Sequence, residues 1–272
     1  MKRFELPTER AAVMGVLNVT PDSFSDGGEF LSPQAAIEHG IALAEEGADI
    51  VDVGGESTRP GAEPVSIDHE LARVIPVIEA LVREEIAVSI DTMKPNVARA
   101  AVAGGASVIN DVNGLRAPGM LQVIAETDAS VCIMHMLGEP RSMQVDPHYD
   151  DVVTEVLDWL LARADEAIAA GIARENIWID PGIGFGKTVD HNLSLLKTTA
   201  EFASTGFPVL VGASRKSFIG KIADEDQPQN RMPGSLAAAL YAVSKGARIV
   251  RVHDVAASVQ ALAIQQAISE AD

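Results

Sequence analysis

Along the chain, an amphipathic stretch of helical period, a glycine and a short β-branched run ending in a polar residue recur in that order. Three copies align: Gly47-Ala48-Asp49-Ile50-Val51-Asp52, Gly105-Ala106-Ser107-Val108-Ile109-Asn110 and Gly246-Ala247-Arg248-Ile249-Val250-Arg251. Glycine ends a helix by taking the left-handed cap conformation, and the Val/Ile run suits a strand buried on both faces. The pattern predicts strands over 12–17, 50–53, 87–90, 107–110, 130–134, 177–180, 208–211 and 249–252. Helices are predicted between them, over 34–46, 67–83, 95–103, 120–126, 149–170, 192–203, 235–244 and 256–269. Strict alternation at roughly 30 or more residues per unit predicts an α/β fold, the (β/α)8 or TIM barrel, with its active site at the C-terminal strand ends. An open doubly wound sheet would have a glycine-rich first turn, whereas the stretch after the first strand here is long and polar. No Pro/Ser linker, low-complexity tract or charge block divides residues 1–272, which read as one domain.

Composition narrows the class. The 272 residues are 47% hydrophobic, enough apolar surface to offset the entropy of ordering and to exclude disorder. The longest apolar run, 236–243, is far shorter than a membrane span. Residues 1–7 lack the apolar core of a secretory signal, so none is expected. The single cysteine, Cys132, cannot form an internal disulfide and fits a reducing, cytoplasmic setting. A net charge of −18 argues against nucleic-acid or anionic-membrane partners. An anionic ligand would need positive charge gathered locally.

The predicted strand ends form a functional inventory. They offer Asn18 with Thr20, Asp22 and Asp26; the run from Gly54 through Glu56, Ser57, Thr58, Arg59 and Pro60 to Gly61; Asp91; Asn110 and Asp111; His135; Asp180; Ser214, Arg215 and Lys216; and Arg251 with His253. Some of these residues will cap helices, but their convergence on one face points to a site. Asp91, Asn110 and Asp180 suit the N–H and amino donors of a polar heterocycle, and Lys216 suits its carbonyl. Arg59, Arg215, Lys216, Arg251 and His253 gather positive charge in an acidic chain, which suggests a bound anion such as phosphate. Together the two sets describe a heterocycle carrying phosphate.

Other signals are weaker. Gly182-Ile183-Gly184-Phe185-Gly186-Lys187-Thr188 misses the P-loop spacing by one residue, with Pro181 where the first glycine belongs. His253 and Asp254 have no matching nucleophile for a hydrolytic triad, and the six histidines lack zinc-ligand spacing. Cys132 reads as core, and Asp52, inside an apolar strand, reads as a structural support that needs partners.

Several long motifs resemble the dihydropteroate synthase family. Met14-Gly15-Val16-Leu17-Asn18-Val19-Thr20-Pro21-Asp22-Ser23-Phe24-Ser25-Asp26-Gly27-Gly28 is similar to its first signature, and Asp52-Val53-Gly54-Gly55-Glu56-Ser57-Thr58-Arg59-Pro60-Gly61 to its second. Further matches surround Asp91, Asn110, His135, Asp180 through Lys187, Ser214 through Ser217, and Arg251 through Asp254, in the family's order along essentially the whole chain. The resemblance implies joining p-aminobenzoate to 6-hydroxymethyl-7,8-dihydropterin diphosphate, releasing pyrophosphate and giving 7,8-dihydropteroate. It implies that Asp91, Asn110, Asp180 and Lys216 hold the pterin, with Val112 and Met134 against the ring and Arg251 over its face. Thr58, Arg59, Arg251, His253 and Asn18 would receive the diphosphate, with Mg²⁺ on Asn18 and Asp26. Phe24, Pro60, Phe185, Arg215 and Ser217 would shape the p-aminobenzoate pocket, where sulfonamides would compete. Asp91, Asp180, Lys216, Arg251 and His253 would carry the catalysis, and the C-terminal helices would join a homodimer. The alternatives are a pterin-dependent methyltransferase domain and a non-catalytic pterin-binding paralogue. Neither of those needs the full diphosphate set.

Overall fold

The computed structural model describes residues 3–20, 33–57 and 61–271. Gly47, Gly105 and Gly246, which lead the three repeated phrases, take φ of 101, 109 and 98°. Side chains are strained in that left-handed region, so the repeated glycine is a conformational requirement. The strands are β1 (Ala12–Asn18), β2 (Ile50–Gly54), β3 (Val88–Asp91), β4 (Val108–Asp111), β5 (Ser130–Met134), β6 (Ile177–Asp180), β7 (Leu210–Val211) and β8 (Ile249–Val252). They pair in parallel in the order β6-β5-β4-β3-β2-β1-β8-β7, and a parallel bridge from Ile179 to Val209 brings the two ends together. This is the predicted barrel.

Among the described residues, ten α-helices surround it: α1 (Pro33–Glu45), α2 (Ile67–Arg83), α3 (Pro95–Ala103), α4 (Met120–Ala125), α5 (Val152–Ala169), α6 (Val189–Lys197), α7 (Thr199–Ala203), α8 (Ser217–Ala223), α9 (Met232–Ser244) and α10 (Val255–Ser269). The expected helix over 192–203 is two helices. Thr198 interrupts it, its hydroxyl donating to the Ser194 carbonyl at 2.8 Å. The first of the two starts earlier than expected because Thr188 and His191 form a reciprocal cap. Conversely, α5 starts at Val152, three residues later than expected, because the Asp151 carboxylate accepts the N–H groups of Val153 and Thr154. Helix α8, between β7 and α9, lies outside the simple alternation. Strand β7 is shorter than predicted, since Pro208 has no N–H to give a ladder; its carbonyl instead accepts from Ile179 N at 3.0 Å.

The strands divide by their period of two. Val51, Val53, Val88, Ile90, Ile109 and Val131 face the helices within one large apolar cluster. Ala12, Met14, Ile50, Val108, Cys132, Trp178, Leu210 and Ile249 form a second, separate cluster with contributions from seven strands, which is the barrel interior. Phe4 and Leu6 close it from below, Phe4 meeting Trp178 edge-on at 6.0 Å and 67°. Cys132 is core, as expected. Two residues beyond Ile50, Val108, Trp178 and Ile249 come Asp52, Asn110, Asp180 and Arg251. The interior is therefore apolar at its floor and polar at its C-terminal mouth, because each strand changes chemistry at the same height.

Trp178 is 2% exposed, and Trp178→Ala is expected to cost about 3–5 kcal/mol in urea unfolding by leaving a void at this floor. Val145, 79% exposed, is the control: Val145→Ser should stay within about 0.5 kcal/mol of the parent protein.

Candidate active site

The mouth is organised around one arginine. Arg251, on β8, reaches across the barrel, donating from Nε to Asp52 Oδ2 at 2.6 Å and from a terminal nitrogen to Asp91 Oδ2 at 2.8 Å. Asn110 Nδ2 donates to the same Asp52 oxygen at 3.0 Å. Parallel register sets these residues side by side: Gly54 is opposite Asp91, and Asp91 opposite Asn110. Burial pushes the Asp91 carboxyl upward in pKa, against the pull of Arg251. For Arg251 itself, burial works to lower the pKa, but Asp52 and Asp91 carry it above the ordinary arginine value.

The opposite wall comes from β6 and the turn after β7. Met134 and Asp180 are paired in register, and Asp180 Oδ1 accepts the Gly182 N–H at 2.7 Å. Lys216 donates from Nζ to the Ile183 carbonyl, and its ammonium lies 4.5 Å from the centre of the Phe185 ring. Burial raises the Asp180 pKa, countered first by Lys216. Burial also lowers Lys216 to about 8, countered by Asp180. Behind them, Lys187 donates to the Phe185 carbonyl at 3.0 Å, with His135 Nδ1 also at 3.0 Å. Burial takes Lys187 down to about 7 and His135 down to about 3, the latter helped by Lys187. Between the walls, Val112, Met134, Met136 and Met143 form an apolar cluster joined by Met93 and Phe185.

Nine expected site residues thus fall at one end of the barrel: Asn18, Asp91, Asn110, Val112, Met134, Asp180, Phe185, Lys216 and Arg251. Asn18 ends β1 opposite Gly54; a methyl group on Gly54 would lie 3.8 Å from Asn18 Oδ1 and 3.7 Å from Asp91 Oδ2. His253 follows β8, its Nδ1 3.0 Å from Ser214 Oγ. Ser217 begins α8 and is exposed. Arg215 has a partner that the sequence did not suggest: its guanidinium makes a two-bond pair with Asp254, at 3.0 and 2.5 Å. Its backbone takes a left-handed φ of 58°, with its N–H donating to Ser235 Oγ and its carbonyl accepting from Arg231. Such a turn costs a non-glycine residue roughly 1–2 kcal/mol. Asp111 faces away from the mouth and accepts the N–H groups of Asn113 and Leu115. Phe24, Asp26, Thr58, Arg59 and Pro60 lie outside the described residues.

Two residues carry more than their sequence suggested. Asp52 touches two of the site's side chains, a role signalled by its place two residues after the interior Ile50. Lys187, in the rejected P-loop-like run, braces the loop that presents Phe185. Acceptors on two walls, cations beside them and an apolar surface alongside can together hold a flat heterocycle with donors on one edge and a carbonyl on another. The fold and site define a barrel enzyme for such a ring.

Known proteins supply the family. Residues 14–253 match the family model for pterin binding enzymes. The dihydropteroate synthase of Escherichia coli K12 is 50% identical over 256 residues, covering 94% of this chain and 90% of the relative. The dihydropteroate synthase of Xanthomonas albilineans, solved with 4-aminobenzoic acid, superposes with a TM-score of 0.92 at 50% identity, covering 97% of this chain and 95% of that one. That of Burkholderia cenocepacia, solved with 7,8-dihydropteroate, gives 0.89 at 49% identity, covering 98% and 94%. The chain belongs to the pterin-binding enzymes, among the dihydropteroate synthases. It is a transferase.

Lys216 is a cation below its pKa of about 8 and neutral above it. Raising pH through 8 should therefore remove its charged donor, and kcat/KM for the pterin substrate should fall along an alkaline limb near that pH. Lys216→Arg should lose this limb, because arginine does not titrate there.

Proposed function

We propose that the barrel mouth condenses 6-hydroxymethyl-7,8-dihydropterin diphosphate with p-aminobenzoate by a dissociative, cation-like substitution at the exocyclic methylene. The observation that carries this reading is the gathering of Asp91, Asn110, Asp180, Lys216 and Arg251 at one barrel mouth in a chain that shares half its residues with known synthases. The carbon–oxygen bond to the diphosphate breaks, its electron pair leaves with the diphosphate, and the aryl amine attacks the methylene and then loses a proton. An aryl amine is neutral near pH 7, so no strong base is needed to make it a nucleophile. The difficult step is the departure of the diphosphate.

The chain's residues serve that step in distinct ways. Asp91, Asn110 and Asp180 meet ring donors, Lys216 the ring carbonyl, and Val112 and Met134 the ring surface. Asp91 and Asp180 favour positive charge developing on the methylene. Arg251 inside the mouth and His253 just after β8 would meet the diphosphate, with Thr58 and Arg59 as further expected contacts. Asn18 supplies a hard amide oxygen beside Asp91, a donor that suits Mg²⁺ shared with a substrate diphosphate. Asn18 would hold that ion with Asp26, and when bound it would neutralise charge on the leaving group. Phe185, with Phe24, Pro60, Arg215 and Ser217 around it, would form the p-aminobenzoate side, open to competition by sulfonamides. The reading also places the enzyme in the cytoplasm. Among the described residues, no helix is long and apolar enough to cross a membrane.

Mixing the protein with dihydropterin diphosphate, Mg²⁺ and p-aminobenzoate should release pyrophosphate only when the amine is present. Lys216→Ala should lower that rate by about 10²–10³, the scale of losing a preorganised charged donor. Pterin binding without release would instead favour the non-catalytic paralogue. A secondary deuterium isotope effect at the methylene should exceed unity clearly; a value near one would rule out the cation-like step.

We propose further that the chain forms a homodimer through its C-terminal helices. Helices α9 and α10 pack together, with Gln265 Nε2 donating to the Leu240 carbonyl, and leave Tyr241, Ile264 and Ile268 exposed. The double substitution Ile264→Glu, Ile268→Glu should shift the mass measured by light scattering from dimer to monomer.

A further inference from the structure

Asp52 is fully buried inside the barrel, at the base of the mouth, with Val16 and Ser89 as its register neighbours. Two donors converge on its Oδ2, Arg251 Nε at 2.6 Å and Asn110 Nδ2 at 3.0 Å. Among the described residues, its other oxygen, Oδ1, has no hydrogen-bond partner. A buried carboxylate loses hydration on both oxygens. Here the compensation arrives through one of them, and both bonds run to side chains of the ring site.

That arrangement sets the chemistry of Asn110. An amide side chain offers a carbonyl oxygen at one end and an amino group at the other, and its hydrogen-bond network decides which way each points. Asp52 Oδ2 accepts from Arg251, so it is an acceptor toward Asn110 as well, and only Nδ2 can face it. The Asn110 oxygen is then turned away from Asp52. Asp52 also fixes the Nε edge of the guanidinium, which leaves the terminal nitrogens to reach Asp91.

We propose that Asp52 is the positioning residue of the ring site: through Oδ2 it locks the Arg251 guanidinium and the Asn110 amide together, so that Asn110 presents an acceptor to the bound heterocycle. This rests on the reading of the mouth as the pterin site, and it adds what makes the site selective. The ring must carry an N–H donor opposite Asn110 Oδ1, while the second hydrogen on Nδ2 stays free to donate beside it. A ring with an acceptor opposite Oδ1 would meet lone pair against lone pair, because the bond to Asp52 holds the amide against the flip that would relieve it.

The test uses the full chain and Asp52→Asn, which keeps shape and removes the charge, with Asn110→Ala and the double variant completing a cycle. Pyrophosphate release by the unaltered protein checks the site reading separately; if that fails, the site reading fails rather than the role of Asp52. With turnover established, Asp52→Asn should raise the KM for dihydropterin diphosphate at least tenfold and leave the KM for p-aminobenzoate within twofold. The double variant should be no more than about threefold worse than the poorer single variant, because both changes break one unit. Multiplying losses, an unchanged pterin KM, or equal losses for both substrates would overturn the proposal. Should Asp52→Asn fail to fold by thermal unfolding, Asp52→Glu, which keeps the charge but displaces it, should give the same split between substrates. A pterin KM within twofold of the parent in a folded Asp52→Glu would refute the proposal equally.

Discussion

A closed parallel barrel has a single interior, and every strand must send each second side chain into it. What can be buried there governs the rest of the molecule. At the floor the interior is apolar, with Trp178 at its base and Phe4 set against it. At the mouth it holds Asp52, Asp91 and Asp180 beside Arg251, Lys216 and Lys187, three acids and three bases at a short remove from one another. Charges removed from water must be paired at close range, so the mouth is close to neutral although the chain carries −18. The Arg251 pairs join residues 199 and 160 positions apart in sequence. They can form only once β8 has paired with β1, so the site is complete only when the two ends of the chain have met.

Legibility in the sequence followed the range of the forces involved. The barrel could be read because its repeating phrase is local: a glycine that must take positive φ, then a Val/Ile run buried on both sides. Strands β5, β6 and β8 have the bounds that the pattern predicted. The departures arose where a side chain bonds back to the main chain, as Thr198 does in dividing α6 from α7 and Asp151 in starting α5. Asp91, Asn110, Asp180 and Arg251 were legible as polar residues ending apolar strands. The pair that Arg215 makes with Asp254, 39 residues away, was not. Asp52 was read as support from its apolar neighbours Val51 and Val53, yet those two face outward. Its real neighbours are Arg251 and Asn110, which local composition does not reveal.

The shifted ionisations at the mouth tie this architecture to the reaction. Burial raises the pKa of Asp91 and Asp180 and lowers that of Lys216, so each charge there is less well solvated than it would be in water. A carboxylate in that state gains strongly from any positive charge that arrives nearby, provided it need not move to meet it. In the proposed mechanism the charge arriving is a cation formed by loss of diphosphate from the methylene. The acids that recognise the ring's donors in the ground state are then the ones whose stabilisation grows as the bond breaks. Asp52 takes no part in that encounter. By holding Arg251 and Asn110 still, it keeps the surrounding dipoles from spending the binding energy on rearranging themselves.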